Sequence, residues 1–245
     1  MKNILTLSFI LISACTFGQL PKTIIQGDSG EPYDIKEFTA SKLNAATQKG
    51  VYHLGESEGE RDLIILPYRA GIIIQMAGND WGVDRNSGTE TWQKKYITFN
   101  TVAVQGNRFS FGKYQGVFAV YDGNIKKAVL LNGDPTSNQI YGRDTAEAGH
   151  FQMDLAVYYD GMKYAEVSLK TIDEAFLAGK STKELKYMCN EVFARYGLIF
   201  QNPKIAAIFK EQYRPWRKNV DNCLTSIEKE NIKLIRAYMT RTNDQ

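Results

Sequence analysis

A repeating pattern of apolar and polar positions over residues 181–200 predicts an amphipathic helix. Apolar side chains recur there at three- and four-residue steps, and the positions between them are mostly polar. Ser181 and Glu184 have the spacing of a capping box, in which each side chain bonds the backbone amide of the other residue. Gly197 is placed where a helix can end in a left-handed conformation. We therefore expect one helix with a buried face.

Residues 51–169 show a different pattern, with short runs of branched and aromatic residues separated by turn signals. Pairs such as Gly106-Asn107 between two such runs are typical of hairpins. Because no helix-length pattern separates the runs, we expect an antiparallel β meander rather than a parallel sheet. The predicted strands are 51–54, 63–68, 71–76, 96–105, 108–111, 117–121 and 125–131, followed by a hairpin of 151–158 and 163–169.

These patterns place the chain in the α+β class. An N-terminal antiparallel β meander, either a small barrel or a two-layer sandwich, is expected to precede a small all-α C-terminal domain. The expected division is a signal peptide at 1–18, a polar arm or short helix at 19–50, the β domain at 51–169 and the helical domain at 170–240.

The first residues have the composition of an export signal. Lys2 precedes a largely apolar run of about nine residues, which is the length of a signal-peptide core and too short to span a bilayer. Two processing routes stay open, since Cys15 ends a lipobox-like sequence, whereas Gly18 ends a run suited to ordinary cleavage. We expect an exported protein in the periplasm, on the outer surface or outside the cell, with membrane contact only through a lipid on Cys15.

Cys189 and Cys223 remain after either cleavage. In an oxidising compartment two cysteines in one small domain favour a disulfide, and closing a loop of about 34 residues would add roughly 3 to 4 kcal/mol. The alternative is two separate buried thiols, because Cys189 lies on the apolar face of the predicted helix.

Charge narrows the range of partners. The formal net charge is +3, so the chain as a whole gives no case for nucleic acid binding. Residues 181–245 nevertheless contain 12 Lys and Arg against 7 Asp and Glu. This excess suits an anionic cell-wall polymer or another envelope protein, although a solvated helix face would have the same composition.

The helix of residues 181–200 carries Asn190-Glu191 followed by Phe193-Ala194-Arg195-Tyr196-Gly197, and further spaced elements follow at 213–216 and 224–235. Together these residues resemble the YARHG domain of secreted and membrane-attached bacterial proteins. The resemblance implies an extracellular location, a helical domain and no settled activity. Two residues differ from the family motif, where Tyr and His are usual, so an activity that needs an imidazole there is excluded. We expect the motif residues to be structural, with Asn190 and Arg195 hydrogen-bonding within the domain. The motif residues are Asn190, Phe193, Ala194, Arg195, Tyr196 and Gly197, of which Phe193 and Tyr196 are the departures.

A cluster of aromatic and basic residues between two predicted helices is a candidate for partner binding. It contains Tyr213, Arg214, Trp216 and Arg217, a composition typical of protein interfaces. The family resemblance favours a packing role for Trp216 under the motif helix.

Trp81 and Trp92 are a second candidate surface, on either side of a polar loop. Their rings could stack on a sugar, or they could cover one end of the β domain. The loop lacks the acidic spacing of a calcium-binding loop, so no metal site is expected.

The sequence contains no nucleophile elbow, zinc-binding helix, phosphate loop or dinucleotide-binding turn, so we expect no enzyme and no cofactor. The expected function is that of a non-catalytic binding or scaffolding protein at the bacterial cell envelope, with a cell-wall polymer or an envelope protein as partner. One alternative is a β-barrel carrier of a small apolar ligand. Another is a hydrolase of envelope polymers with a carboxylate pair, which leaves no local signature in a sequence.

Overall fold

A large antiparallel sheet followed by a group of helices makes up the fold, so the predicted α+β class is confirmed. The predicted signal peptide at 1–18 and Cys15 lie outside the described residues. The computed structural model of the protein describes residues 20–27, 30–40, 47–83, 88–122 and 126–243.

Twelve strands of the described chain form one sheet, in which the central order is β7-β6-β5-β4-β14-β11-β10-β9-β8. β1 pairs in parallel with β14, β2 extends β1, and β3 pairs with β10, while β12 and β13 form a separate ribbon. The strands are β1 Thr23–Gln26, β2 Glu31–Pro32, β3 Phe38–Ala40, β4 Gly50–Leu54, β5 Arg61–Tyr68, β6 Gly71–Val83, β7 Glu90–Phe99, β8 Ala103–Gln105, β9 Arg108–Phe111, β10 Tyr114–Tyr121, β11 Lys126–Leu131, β12 Gly133–Asp134, β13 Gln139–Ile140 and β14 Thr145–Met153.

The sheet is open between β7 and β8, so the barrel or sandwich expected from the sequence is a single open sheet instead. It curls far enough for Phe99 of β7 to meet Phe111 of β9, with ring centroids 4.8 Å apart. The concave side between them is filled by buried aromatic and aliphatic side chains, including Phe109, Phe118 and Tyr52. This side of the sheet is therefore a packed core.

The central strands are apolar on both faces because each face covers a different core. Ile64 and Ile73 point to the core under the helices, whereas their neighbours Ile65 and Ile74 point to the concave core. All four side chains are fully buried. A strand buried on both faces reads as a continuous apolar run, which is the pattern of β5 and β6 in the sequence.

The segment expected to be a polar arm or short helix contributes three short strands instead. β1 and β4 share one edge of β14, where β1 pairs with residues 145–147 and β4 with residues 150–153. β3 occupies the far end of β10 in the same way. Ile24 and Phe38 anchor these strands in a small third core. The part of the predicted arm at 41–46 lies outside the described residues.

The hairpin predicted at 151–158 and 163–169 is wrong, because β14 ends at Met153 and two short helices follow. The capping box of Ser181 and Glu184 is confirmed at the start of α4, where both reciprocal hydrogen bonds are present. The helices are α1 Leu155–Tyr158, α2 Glu166–Leu169, α3 Glu174–Leu177, α4 Thr182–Arg195, α5 Pro203–Phe209 and α6 Ser226–Asn243.

The helices pack on the outer face of β4 to β7, and one apolar core spans the two parts. It joins side chains of the strands, such as Leu66, to side chains of α4 and α6, such as Met188 and Ile227. Gln75 of β6 adds polar links, since its amide nitrogen lies 2.9 Å from the Tyr196 hydroxyl and 3.0 Å from the Cys223 carbonyl oxygen. No helix within the described residues has the length and apolar character needed to cross a membrane.

Candidate functional site

A half-open cleft of about 440 Å³ lies where the β6–β7 hairpin meets the helices. We call it the Arg195 cleft. None of the described residues that line it is acidic. Its lining side chains come from the hairpin (Asn79, Trp92, Gln93, Lys94, Tyr96), from residues 158–162 (Tyr158, Tyr159, Met162) and from the C-terminal part of the chain (Arg195, Gln212, Tyr213, Arg214, Trp216).

Arg195 is a buried cation surrounded by aromatic rings. It is the last residue of α4, and its side chain is only 7% exposed. Its guanidinium carbon lies 4.3 Å from the ring centroid of Tyr159, 4.9 Å from that of Tyr196 and 5.3 Å from that of Tyr96. These distances fall within the range of cation–π attraction, which replaces part of the hydration that the cation loses on burial.

The hydrogen bonds of Arg195 leave part of its guanidinium unused. Nη2 donates to Oε1 of Gln75 at 3.4 Å, so the side chain bonds to the sheet rather than within the helical domain as expected. Nη1 lies 3.7 Å from Oε1 of Glu228, which is too far for a hydrogen bond. Nη1 is buried and has no hydrogen-bond partner among the described residues.

Glu228 pairs with Arg195 through charge alone, and the hydrogen bonds of its carboxylate go to other donors. Oε1 accepts from Ser168 Oγ at 2.7 Å. Oε2 accepts from the Tyr196 hydroxyl at 2.8 Å and from the backbone amide of Thr225 at 2.8 Å. The carboxylate therefore offsets part of the Arg195 charge from 3.7 Å, without accepting a hydrogen bond from Nη1.

Three tyrosines of the cleft add further donors. The hydroxyls of Tyr158, Tyr159 and Tyr213 are buried and have no hydrogen-bond partner in the described part of the chain. Burial is the main reason that the pKa of each of these phenols is raised. They are therefore neutral at physiological pH, and each can donate an O–H to a ligand.

Trp216 is held in the cleft by the glycine of the sequence motif. Gly197 has a left-handed backbone with φ of 78°, and its carbonyl oxygen accepts from the amides of Trp216 at 2.9 Å and Arg217 at 2.8 Å. A Cβ at residue 197 would lie 2.4 Å from Trp216 Nε1. The indole of Trp216 can pack against residue 197 because glycine has no side chain.

The two tryptophans of the β domain are a cross-strand pair rather than the two sides of a long loop. β6 and β7 continue past them, Trp81 lies directly opposite Trp92, and their ring centroids are 4.7 Å apart. Trp81 is 57% exposed and Trp92 is 39% exposed. Only Trp92 lines the cleft.

Four of the six predicted binding residues therefore lie together in the Arg195 cleft, and the other two flank it. Those four are Trp92, Tyr213, Arg214 and Trp216. Arg217 stacks on the ring of Trp216 at 3.8 Å, and its Nη2 donates to the carbonyl oxygen of Lys94 at 3.2 Å. This bond ties the loop after α5 to β7 beside the cleft.

The other motif residues lie around the C-terminal end of α4. Ala194 and Tyr196 are buried, and Asn190 and Phe193 are half-buried. Tyr196 donates to Glu228 and accepts from Gln75, so the residue that replaces the family's His connects α6 to the sheet. Glu191 was not predicted as a contact residue, but it accepts the amides of residues 163 and 164 at 2.7 and 2.9 Å.

The predicted disulfide between Cys189 and Cys223 is wrong, since both residues are buried free thiols. Cys189 faces the core between α4 and α6, where burial raises its thiol pKa to about 11. Cys223 lies against β7, with its Sγ 3.9 Å from the carbonyl oxygen of Tyr96. The structure therefore agrees with the alternative offered by the sequence, in which the two cysteines are separate buried thiols.

The tyrosines around Arg195, which form the floor of the cleft, are not among the binding residues predicted from the sequence. Tyr158 ends a run predicted to be a strand, Tyr159 follows it in the predicted connection, and Tyr96 is predicted only as the start of a strand. The adjacent pair of tyrosines just after the last strand was the available signal. Nothing local connects that pair to Arg195, which follows about 36 residues later.

The fold and the cleft define a protein in which an open antiparallel sheet carries a helical C-terminal part. Residues 160–240, the C-terminal third of the chain, match the family model described as YARHG domain, so the predicted resemblance is confirmed. YARHG domains occur in exported proteins and are not a known catalytic class. The predicted division at 169/170 stays a prediction. No curated protein and no solved structure matches the chain.

Proposed function

We propose that this protein is an exported, non-catalytic binding protein of the bacterial cell envelope, and that the Arg195 cleft is its ligand surface. The observation that carries the proposal is the composition of the cleft. Exposed or half-buried rings of Trp92 and Trp216 stand beside basic side chains of Lys94 and Arg214, and no described lining residue is acidic. Such a surface suits an anionic polymer with rings that stack on indole.

The proposed location follows from the family and from the start of the chain. YARHG domains occur in exported proteins, and the apolar run after Lys2 is typical of a signal peptide. We place the mature protein in the periplasm or outside the cell, with Cys15 as the site of a lipid anchor if the lipobox-like sequence is used.

The two alternative functions receive less support. An apolar ligand carrier needs an open interior, whereas the concave side of the sheet is filled by Phe109, Phe111 and Phe118. A hydrolase with a carboxylate pair needs two acids in a cleft, and the described lining of the Arg195 cleft provides none. A second cleft is lined by Glu60, Asp80 and Asp134, but Asp134 is paired with Arg61 at 3.1 Å and Asp80 with Lys95 at 3.7 Å.

Retention on purified cell-wall sacculi tests the proposal. The chain from Gln19 onward is mixed with sacculi at low and moderate salt, beside the variants Trp92→Ala and Arg214→Ala. We expect retention that weakens with salt and is reduced in both variants, since exposed charge contacts are screened. Trp81→Ala is the matched control, because Trp81 pairs with Trp92 but does not line the cleft. Equal retention of the Trp92 and Trp81 variants, or no retention of the unmodified chain, would contradict the proposal.

A further inference from the structure

Four residues that line the Arg195 cleft carry buried hydrogen-bond donors without acceptors. Nη1 of Arg195 and the hydroxyls of Tyr158, Tyr159 and Tyr213 are buried and unpartnered among the described residues. Buried polar groups are nearly always hydrogen-bonded, and four unpartnered atoms on residues that line one cleft call for a common explanation. A ligand that supplies only acceptors would satisfy all four.

The acceptor is an oxyanion, because the donors include a permanent positive charge. Arg195 keeps its charge at any physiological pH, and its side chain is more than nine-tenths buried. Glu228 does not fill this role, since its Oε1 lies 3.7 Å from Nη1, beyond hydrogen-bond distance, and its hydrogen bonds go to Ser168, Tyr196 and Thr225. An oxyanion in the cleft would accept from Nη1 and from the phenol O–H groups, as charge-assisted hydrogen bonds.

The local charge favours a singly charged oxyanion. The Glu228 carboxylate lies 3.7 Å from Arg195 Nη1 and offsets much of its charge at the floor. Of the remaining basic groups, Lys94 lies close to the floor, with its Nζ 5.5 Å from the ring centroid of Tyr158 and 5.9 Å from that of Tyr96. Two cations, Arg195 and Lys94, against one carboxylate leave a single net positive charge there, whereas the effect of the exposed Arg214 is weakened by water and salt. A carboxylate fits this balance better than a doubly charged phosphate.

The walls of the cleft indicate what carries the carboxylate. Trp92 and Trp216 offer flat aromatic faces, against which the C–H groups of a sugar ring pack well. The volume of about 440 Å³ lies within the range of small-molecule pockets, roughly 300–1,000 Å³. We infer that the Arg195 cleft binds an acidic sugar, with its carboxylate on Arg195 and the three tyrosines and its ring on the tryptophans. This inference rests on the proposed function for the choice of the cleft as the ligand surface.

Calorimetric titration with a trisaccharide of galacturonic acid tests the inference, with the methyl ester of the same trisaccharide beside it. We expect the acid to bind about tenfold or more tightly than the ester, because the ester loses the charge-assisted hydrogen bonds. In separate titrations, inorganic phosphate and acetate are each added as a competitor of the acidic trisaccharide. Equal binding of acid and ester, or displacement of the acid by phosphate at lower concentration than by acetate, would overturn the carboxylate assignment.

The variant Tyr213→Phe separates ligand binding from folding. It removes an O–H that has no partner in the described structure, so the free energy of unfolding should be unchanged or higher. Affinity for the acidic trisaccharide should fall about tenfold, since one hydrogen bond to a charged group is lost. The matched control is Tyr164→Phe, whose hydroxyl bonds Glu184 at 3.3 Å outside the cleft and whose loss should leave affinity unchanged.

A loss of affinity in Arg195→Met would be harder to interpret, because removal of the buried cation also changes the packing of the aromatic rings around it. Tyr213→Phe and Tyr158→Phe therefore decide the result. Full affinity in both variants would overturn the inference.

Sacculus retention that depends on Trp92, together with no binding of the acidic trisaccharide, would overturn the carboxylate assignment and leave the proposed function standing. Trisaccharide binding lost in Tyr213→Phe, without sacculus retention, would support the inference and contradict the proposed function.

Discussion

Gly197 combines two constraints that only glycine satisfies at once. Its φ of 78° lies in the left-handed region, and the space next to its Cα is filled by the indole of Trp216. Gly179, which ends the turn after α3, has a similar φ of 75°, but a Cβ at that residue would meet no atom within 4 Å. A side chain at Gly179 would therefore cost only the strained backbone conformation, whereas a side chain at Gly197 would also collide with Trp216.

We predict that Gly197→Ala destabilises the protein more than Gly179→Ala. The control variant should lose about 1 kcal/mol of unfolding free energy, which is the usual cost of a left-handed alanine. Gly197→Ala should lose about 3 kcal/mol or more, because the new methyl group also displaces Trp216. Urea denaturation of both variants measures the difference. Equal losses of unfolding free energy in the two variants would mean that Trp216 does not pack against Gly197.

At the residue scale, part of the cleft could be predicted and part could not. Tyr213, Arg214 and Trp216 are predicted as binding residues because aromatic and basic side chains are adjacent in the sequence, and all three line one cleft. The partners of Arg195 could not be predicted in the same way. Gln75 and Tyr159 reach it from 120 and about 36 residues away, and such contacts depend on how the helices pack on the sheet.

At the element scale, the start of α6 is a capping box placed inside the core. Thr225 Oγ1 accepts from the amide of Glu228 at 3.2 Å, and Glu228 Oε2 accepts from the amide of Thr225 at 2.8 Å. The corresponding box at the start of α4 is exposed. In α6 the capping carboxylate also holds Ser168 and Tyr196 and lies beside Arg195, so one residue caps a helix and joins α2, α4 and α6.

We therefore predict that Glu228→Gln is far more costly than Ser181→Ala. Removal of the exposed cap at Ser181 should cost about 1 kcal/mol of unfolding free energy. Glu228→Gln should cost about 3 kcal/mol or more, because Arg195 would lose the carboxylate charge that lies 3.7 Å from Nη1. In addition, some of the donors that bond this carboxylate would face an amide nitrogen, which cannot accept. Thermal or urea unfolding compares the variants, and similar losses would argue against a joining role for Glu228.

Elements with strong local signals could be predicted from the sequence. β9 occupies the predicted residues, and the cap of α4 is the predicted Ser181. The failures lie where tertiary packing decides. Residues 155–158 have the branched and aromatic composition of a strand, but they form one helical turn that places Tyr158 and Tyr159 against Arg195. A four-residue helix has too little periodicity to be distinguished from a strand.

At the scale of the whole molecule, the sheet and the YARHG domain share one core. Val51, Ile64 and Leu66 of the sheet are fully buried together with Leu185 and Val192 of α4. Polar links cross the same interface, including the 2.5 Å contact between Thr98 Oγ1 and the Cys223 carbonyl oxygen. Separating the two parts would expose apolar surface on both, at about 25 cal/mol per Å². The cleft at their junction depends on this shared core for its shape.

This shared core predicts that the chain from residue 19 onward unfolds in one cooperative transition. Urea unfolding followed by tryptophan fluorescence, with Trp81 and Trp92 in the sheet and Trp216 in the helical part, should coincide with unfolding followed by far-ultraviolet circular dichroism. A fragment of residues 160–245 should show no cooperative transition, since the strands that cover its core are missing. The Ser181→Ala variant of the longer chain is the control, because it weakens one helix without dividing the core and should keep both probes coincident at a lower midpoint. A cooperative fragment with the midpoint of the longer chain would mean that the helical part folds independently and that the cleft forms by docking of two preformed surfaces.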